Sequence, residues 1–326
     1  MRTPTTDDLE RAVQVVRRYL RPTPLDEGLE PSEPLLKLES MQPTGSFKVR
    51  GALNALTNVD PDTPVVTASA GNHGLGMAYA ARRLGRPVTV VVSTKASPVK
   101  VEALRRLGTE PVQIGTTIED AEAHAMELAQ SGAHYVSPYN DPDVIAGQGT
   151  IGPELAEQMA LVEQMAPVDQ VELADQTDGP LTVVSPIGGG GLTSGLGLWA
   201  STRPDVRLVG VESELSTPVS TAIRAGRWAE IEIGPTIADG LSGNVERGSV
   251  TLELIGRQAD QLLTVSEAEI RDAMRWLASR RGLIAEGAGA TALAAVLAGK
   301  VDAEGRVVAL VSGRNIALPL YAAQLA

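Results

Sequence analysis

The chain has 326 residues, enough for one large or two ordinary domains, and its 43% apolar and 21% charged content is that of a folded rather than a disordered protein. A net charge of −12 argues against nucleic acid or an anionic membrane surface as partner, because phosphate binding needs clustered Lys and Arg. With no cysteine there is no disulfide framework, thiol nucleophile or zinc–thiolate site. The polar, acidic start (Met1 to Asp8) lacks the apolar segment of a signal peptide, and no apolar run reaches the ~18 residues of a membrane span, so a cytoplasmic location is expected.

In chain order, Asp7 or Asp8 is expected to cap a helix over Leu9–Leu20, with Val13, Val16 and Leu20 on one face. A short strand follows at Leu35–Leu38, then a loop and a helix over Val49–Leu56 that Thr44 or Ser46 can cap. From Val65 the pattern alternates: strand Val65–Ala68, helix Asn72–Leu84, strand Val88–Val92, helix Ser97–Leu107, strand Glu110–Ile114, helix Ile118–Gln130 and strand His134–Val136. Asn140-Asp141-Pro142 and Gly147-Gln148-Gly149 look like a junction. A second series has helix Pro153–Met165, strand Leu181–Val184, a helix after Gly191, strand Leu208–Val211, helices Glu267–Arg280 and Gly289–Leu297, and strand Val307–Val311. Between them, Ala166–Gly179 is polar, acidic and without period, as an exposed loop would be. Such alternation predicts an α/β fold of two parallel-sheet domains, the smaller inserted in the larger. The boundaries expected are 1–55 with 146–326 for the large domain and 56–145 for the small one.

Two strands run directly into loops suited to an anion: Ser69-Ala70-Gly71-Asn72-His73-Gly74 and Ser185-Pro186-Ile187-Gly188-Gly189-Gly190-Gly191-Leu192. Four successive glycines let neighbouring N–H groups converge on a phosphate at the start of a helix. A dinucleotide site is the competing reading, but its third glycine is missing: Thr193 and Ser194 stand at the required spacing. The loop Pro43-Thr44-Gly45-Ser46-Phe47-Lys48-Val49-Arg50-Gly51 places Lys48 in the first turn of a helix, where the dipole disfavours a positive charge. That is an odd place for a solvated lysine and a good one for an amine kept neutral and nucleophilic. His124 and His134 read as structural, and no serine-hydrolase elbow, P-loop or zinc-protease motif is present.

A reactive lysine and a phosphate cradle without a metal signature suggest pyridoxal 5'-phosphate. Thr44–Gly51, Ser69–Gly74, Gly188–Leu192, Thr236–Asn244, Ala285–Ala290 and Ser312-Gly313-Arg314-Asn315 stand in the order found in the threonine dehydratase and serine racemase family. The chain resembles these fold-type II, tryptophan synthase β-like enzymes over nearly its whole length. The resemblance implies that Lys48 forms the Schiff base, that Phe47 packs beside the ring, and that Asn72 bonds the ring hydroxyl. It likewise implies that Gly188, Gly189, Gly190, Gly191 and Leu192 hold the phosphate, and that Ser312 faces the pyridine nitrogen. Ser69, Ala70, Gly71, Asn72 and His73 would hold the substrate carboxylate, Gly240 would lie over the cofactor, and Glu286 would line the site.

The activity implied is dehydration and deamination of a β-hydroxy amino acid such as L-threonine or L-serine. The alternative is a serine racemase, which needs a second base on the opposite face of the α-carbon. Racemase members carry a serine for that purpose where this chain has Ala70, which favours elimination. Glu212 matches one carboxylate of a cation site found in some members, but Ser216-Thr217-Pro218 lacks its partner, so no tight metal is expected. The resemblance also implies a homodimer or homotetramer. The sequence stops soon after Ser312, so no regulatory domain and no isoleucine inhibition are expected.

Overall fold

The computed structural model describes residues 2–28, 30, 33–165, 180–303 and 305–325; the loop expected over Ala166–Gly179 lies outside them. Helix α1 (Thr6–Tyr19) is capped by Thr5, not by Asp7 or Asp8. Asp8 instead closes the capping box, its carboxylate accepting the Thr5 amide at 2.8 Å while its own amide donates to the Thr5 hydroxyl. Next come β1 (Leu25–Asp26), β2 (Leu35–Lys37), a 3₁₀ turn at Glu39–Met41 and α2 (Lys48–Asn58).

The expected cap of α2 is absent. Phe47 stands at the N-cap in helical geometry, and neither Thr44 nor Ser46 bonds the first turn. Main-chain pairing with a distant segment starts this helix instead: Phe47 N–H donates to Ser312 O at 3.1 Å, and Arg314 N–H to Gly45 O at 2.9 Å.

The alternating series follows as β3 (Val65–Ala68), α3 (Asn72–Leu84), β4 (Val88–Val92), α4 (Pro98–Arg106), β5 (Val112–Gln113), α5 (Ile118–Gln130) and β6 (His134–Tyr135). The expected junction is a helix, α6 (Pro142–Gly149). Asp141 caps it by accepting from the Asp143 and Val144 amides, and Pro142 sits at its first position, where a missing N–H costs nothing. The chain continues with α7 (Ile151–Met165), β7 (Leu181–Pro186), α8 (Gly191–Ala200), β8 (Val206–Ser213), α9 (Pro218–Ala225), α10 (Val250–Gln258) and β9 (Gln261–Val265). It ends with α11 (Glu267–Trp276), which runs into a π turn at Leu277–Arg281, then α12 (Gly287–Leu297), β10 (Val307–Leu310) and α13 (Leu318–Leu325).

Among the described residues these strands form two sheets. The larger has order β1-β2-β10-β7-β8-β9 and is parallel except for β1; the smaller, β5-β4-β3-β6, is parallel throughout. Both faces of the large sheet are covered, so its strands are apolar on both sides. Val184, Val209 and Ala309 face α11 and α12, whereas Val183, Leu208 and Val308 face α7 and α8. Burying one such side chain stabilises by about 1.5–3 kcal/mol.

Strand order places the functional loops. In the large sheet the chain steps from β7 to β8 and β9, then returns to insert β10 on the other side of β7. In the small sheet it steps from β3 to β4 and β5, then returns to set β6 on the other side of β3. Each reversal opens a crevice at the carboxyl ends of two adjacent parallel strands, the usual place for a ligand in such sheets. The loops at those ends are 187–190 and 311–315 in one sheet, and 69–71 and 136–141 in the other.

Below this region lies a buried ionic cluster. Arg50 donates to Glu39 (2.7 and 2.8 Å) and Glu154 (2.9 Å), while Lys37 donates to Glu154 (2.6 Å), Gln158 and Thr23 O. The cluster joins β2, the 3₁₀ turn, α2 and α7.

Candidate active site

Lys48 begins α2, and its Nζ donates to Pro138 O at 2.7 Å in the loop after β6. Its charge lies 5.2 Å from the centre of the Phe47 ring. Part of the residue reaches the surface, but burial of the amine pulls its pKa down to about 8. His73, the second residue of α3, is buried with Nδ1 unpartnered, and burial followed by the nearby Lys48 charge holds its pKa at about 3. It is therefore a neutral imidazole at any physiological pH.

The next residue of the Lys48 partner loop reaches the tetraglycine turn. A Cβ on Gly189 would stand 2.2 Å from the Tyr139 ring, so only glycine fits beneath it. Gly190 takes φ +87° and opens α8 with no side-chain cap, leaving the first amides of that helix to an external acceptor. Thr251 holds the turn by donating to Gly189 O at 2.8 Å. Gly188 lies under the Gly240–Leu241 turn, and Leu192 is buried. Pro138, Tyr139 and Thr251 were not legible as site residues in the sequence; the only signal was a proline–aromatic pair just after a strand.

At the far side, Asn72 Nδ2 donates to Glu286 Oε1 at 2.7 Å, and Asn315 Nδ2 donates to Asn72 Oδ1 at 2.6 Å. Burial raises Glu286 to a pKa of about 7, opposed by the Asn72 bond; Asp239 raises it further and Lys100 lowers it. Ser312 is buried, with its hydroxyl donating to Ala288 O at 3.4 Å. In the loop after β3, Gly71 N–H donates to Ser69 Oγ at 3.2 Å, and Ala70 is partly buried with nothing to titrate.

The structure thus draws Lys48, the 69–73 loop, the tetraglycine turn, Glu286 and Ser312 around the two crevices. Glu212 is elsewhere in role: buried near the end of β8, it accepts the Val219 and Ser220 amides at 2.9 and 3.0 Å and so caps α9. Among the described residues, no group of three metal-ligating side chains converges and no helix is long and apolar enough to cross a membrane.

An uncapped helix start, a desolvated amine without a carboxylate partner and a buried imidazole with one nitrogen unpartnered fit a group that brings a phosphate and an aldehyde. Residues 16–313 match the family described as Pyridoxal-phosphate dependent enzyme. The chain belongs to this family.

As a pyridoxal-phosphate dependent enzyme it is 38% identical over 323 residues to an L-threonine ammonia-lyase of Thermotoga maritima, covering 96% of this chain and 76% of that one. It is 36% identical to an L-threonine dehydratase catabolic TdcB of Staphylococcus aureus, covering 95% and 89%. Among solved structures, a threonine deaminase from T.th. superposes with a TM-score of 0.83 at 35% identity over 97% of this chain and 99% of that one. Serine racemase from Dictyostelium discoideum does so equally well, at 0.83 and 31% over 97% and 100%. The fold-type II architecture is shared by both activities and does not by itself separate them.

Proposed function

We propose that this enzyme eliminates water from a small β-hydroxy amino acid such as L-threonine or L-serine, releasing ammonia and a 2-oxo acid. The observation that carries the reading is the Lys48 amine, desolvated and hydrogen-bonded only to a carbonyl, where the crevices of the two sheets meet. When bound, pyridoxal phosphate supplies an electron-withdrawing ring conjugated to the substrate's α-carbon. Lys48 Nζ would anchor the aldehyde and, once the substrate amine had displaced it, would be the free base that takes the α-proton; a pKa of about 8 leaves a useful neutral fraction near pH 7. The amides opening α8, with Gly188 to Leu192, hold the phosphate. Asn72 and Glu286 would orient the ring edge, Phe47 would pack beside it, and the neutral Ser312 hydroxyl would serve its nitrogen. The 69–73 loop binds the substrate carboxylate, and the Gly240 turn shields the site from water.

Ala70 supports elimination over racemisation, since no proton donor stands there for the opposite face of the α-carbon. The two sheets support a division into a cofactor-binding unit (1–55 and 146–326) and an inserted unit (56–145). A cytoplasmic homodimer or homotetramer is part of the same reading, and light scattering of the holoenzyme tests its size.

The test is release of 2-oxo acid from a panel of β-hydroxy amino acids, with chiral analysis of unreacted serine. Fast release from threonine or serine, abolished in Lys48→Ala, is expected. D-serine forming as fast as pyruvate would transfer the enzyme to the racemases. Ala70→Ser is expected to raise D-serine formation, and no change would show that this position does not decide between the two outcomes.

A further inference from the structure

We propose that Asn315 is a positioning residue that fixes which way the Asn72 amide points. Thr44 O can only accept a hydrogen bond. Asn315 lies 2.8 Å from it, so the nearer side-chain atom must be Nδ2. The same Nδ2 lies 2.6 Å from Asn72, which must therefore turn its oxygen, Oδ1, toward Asn315. The Asn72 Nδ2 is left facing Glu286 Oε1 at 2.7 Å, with a second N–H free to donate elsewhere. A reversed Asn72 would set its carbonyl against the Glu286 carboxylate and its NH₂ against that of Asn315. One backbone carbonyl in the Lys48 loop thus dictates, through two amides, what Asn72 offers to the site. The frame is rigid, because the 312–315 segment pairs with residues 45–47 through main-chain bonds.

This inference rests on the reading of Asn72 as the donor to the cofactor hydroxyl, but its first test needs no cofactor. In the apoenzyme, the Glu286 carboxyl is followed by carbon-13 NMR and assigned with Glu286→Gln. Burial and Asp239 raise its pKa while the Asn72 bond and Lys100 lower it, and only the Asn72 bond depends on Asn315. In Asn315→Ala the midpoint is expected to move upward from about 7 by roughly half a unit or more, as it does in Asn72→Ala, and the double variant is expected to move no further. Asn315→Ser provides the same test should Asn315→Ala not fold.

The second test is affinity of the apoenzyme for pyridoxal phosphate by fluorescence titration, expected to fall about tenfold in Asn315→Ala and Asn315→Asp, with apoenzyme melting little changed. An unmoved Glu286 midpoint in the Asn315 variants, or additive shifts in the double variant, overturns the proposal. Failure of the parent protein to bind the aldehyde at all would overturn the functional reading instead, leaving the NMR result to judge Asn315 alone.

Discussion

The ring of Tyr139 lies flat against Gly189, so closely that a Cβ there would be 2.2 Å from its Cγ. Glu246 N–H donates to the Tyr139 hydroxyl at 2.8 Å, which fixes the ring. Gly189→Ala must therefore push either the ring or the turn. Its affinity for pyridoxal phosphate is expected to fall at least about tenfold, roughly 1.4 kcal/mol. Tyr139→Ala added to it is expected to recover part of that loss by making room. Undiminished binding in Gly189→Ala would remove the turn from the cradle.

Desolvation leaves more of the Lys48 amine neutral and nucleophilic near pH 7 than of an exposed lysine. Its acylation rate, read by mass spectrometry of the labelled peptide, is expected to rise with a midpoint near pH 8. An ordinary lysine titrates near 10.4. A midpoint at about that ordinary value would mean that the amine is solvated.

Glu286 has its carboxyl raised by burial to about 7. A raised pKa contributes stability that is complete below the unfolded value, near 4.5, and is lost as pH rises through 7. Glu286→Gln stays neutral and escapes that loss. Urea denaturation at two pH values is therefore expected to favour the variant over the parent more at about pH 8 than at about pH 4, by on the order of 2–3 kcal/mol. A pH-independent difference would show that the carboxyl ionises freely.

Both Glu212 oxygens are engaged by helix amides, an arrangement that needs no cation. Chelation with EDTA is expected to leave turnover unchanged. Glu212→Ala is expected to lose about 0.5–2 kcal/mol of stability through the lost cap, by urea denaturation. Loss of activity on chelation, restored by magnesium, would show that the site takes a cation after all.

Arg50 holds the buried Glu39 and the half-buried Glu154, and removing it strips Glu39 of its ion pair and leaves Glu154 with Lys37 alone. Arg50→Met is expected to destabilise by about 3–5 kcal/mol, measured the same way. A neutral outcome would mean that Glu39 and Glu154 protonate without strain.

Much of this was legible beforehand, for reasons visible residue by residue. Helix Asn72–Leu84 and strands Val65–Ala68 and Val88–Val92 match their expected bounds because the period-3.6 and β-branched signals there agree with the turn residues at their ends. The helix at Pro142–Gly149 was lost because Asn-Asp-Pro read as a breaker, although Asp before Pro is equally a cap and a first position. Segments Pro218–Ala225, Val250–Gln258, Gln261–Val265 and Leu318–Leu325 were passed over; they are short, and their order comes from packing against larger elements. Lys48 and the tetraglycine turn announced themselves by residue type. Pro138 could not, because its contribution is a carbonyl that every residue has. Nor could Tyr139, whose role depends on where β6 is inserted in its sheet, a fact of strand order that no local pattern carries.

The chain leaves the large sheet along α2 and comes back along α6, and these two helices touch where Gly51 meets Val144 O and Gly147 meets the Gly51 Cα. The absence of side chains there welds the outgoing and returning segments into one block, and the Lys48–Pro138 hydrogen bond bridges the same two segments at their upper end. The helix that starts at Asn72, α3, lies against the same block: a Cβ on Gly76 would stand 3.1 Å from the Lys48 carbonyl. One bare patch of backbone thus sets the spacing between Lys48 and the residues across the crevice from it. A methyl group at Gly51, Gly76 or Gly147 would prise those segments apart without touching any side chain of the site.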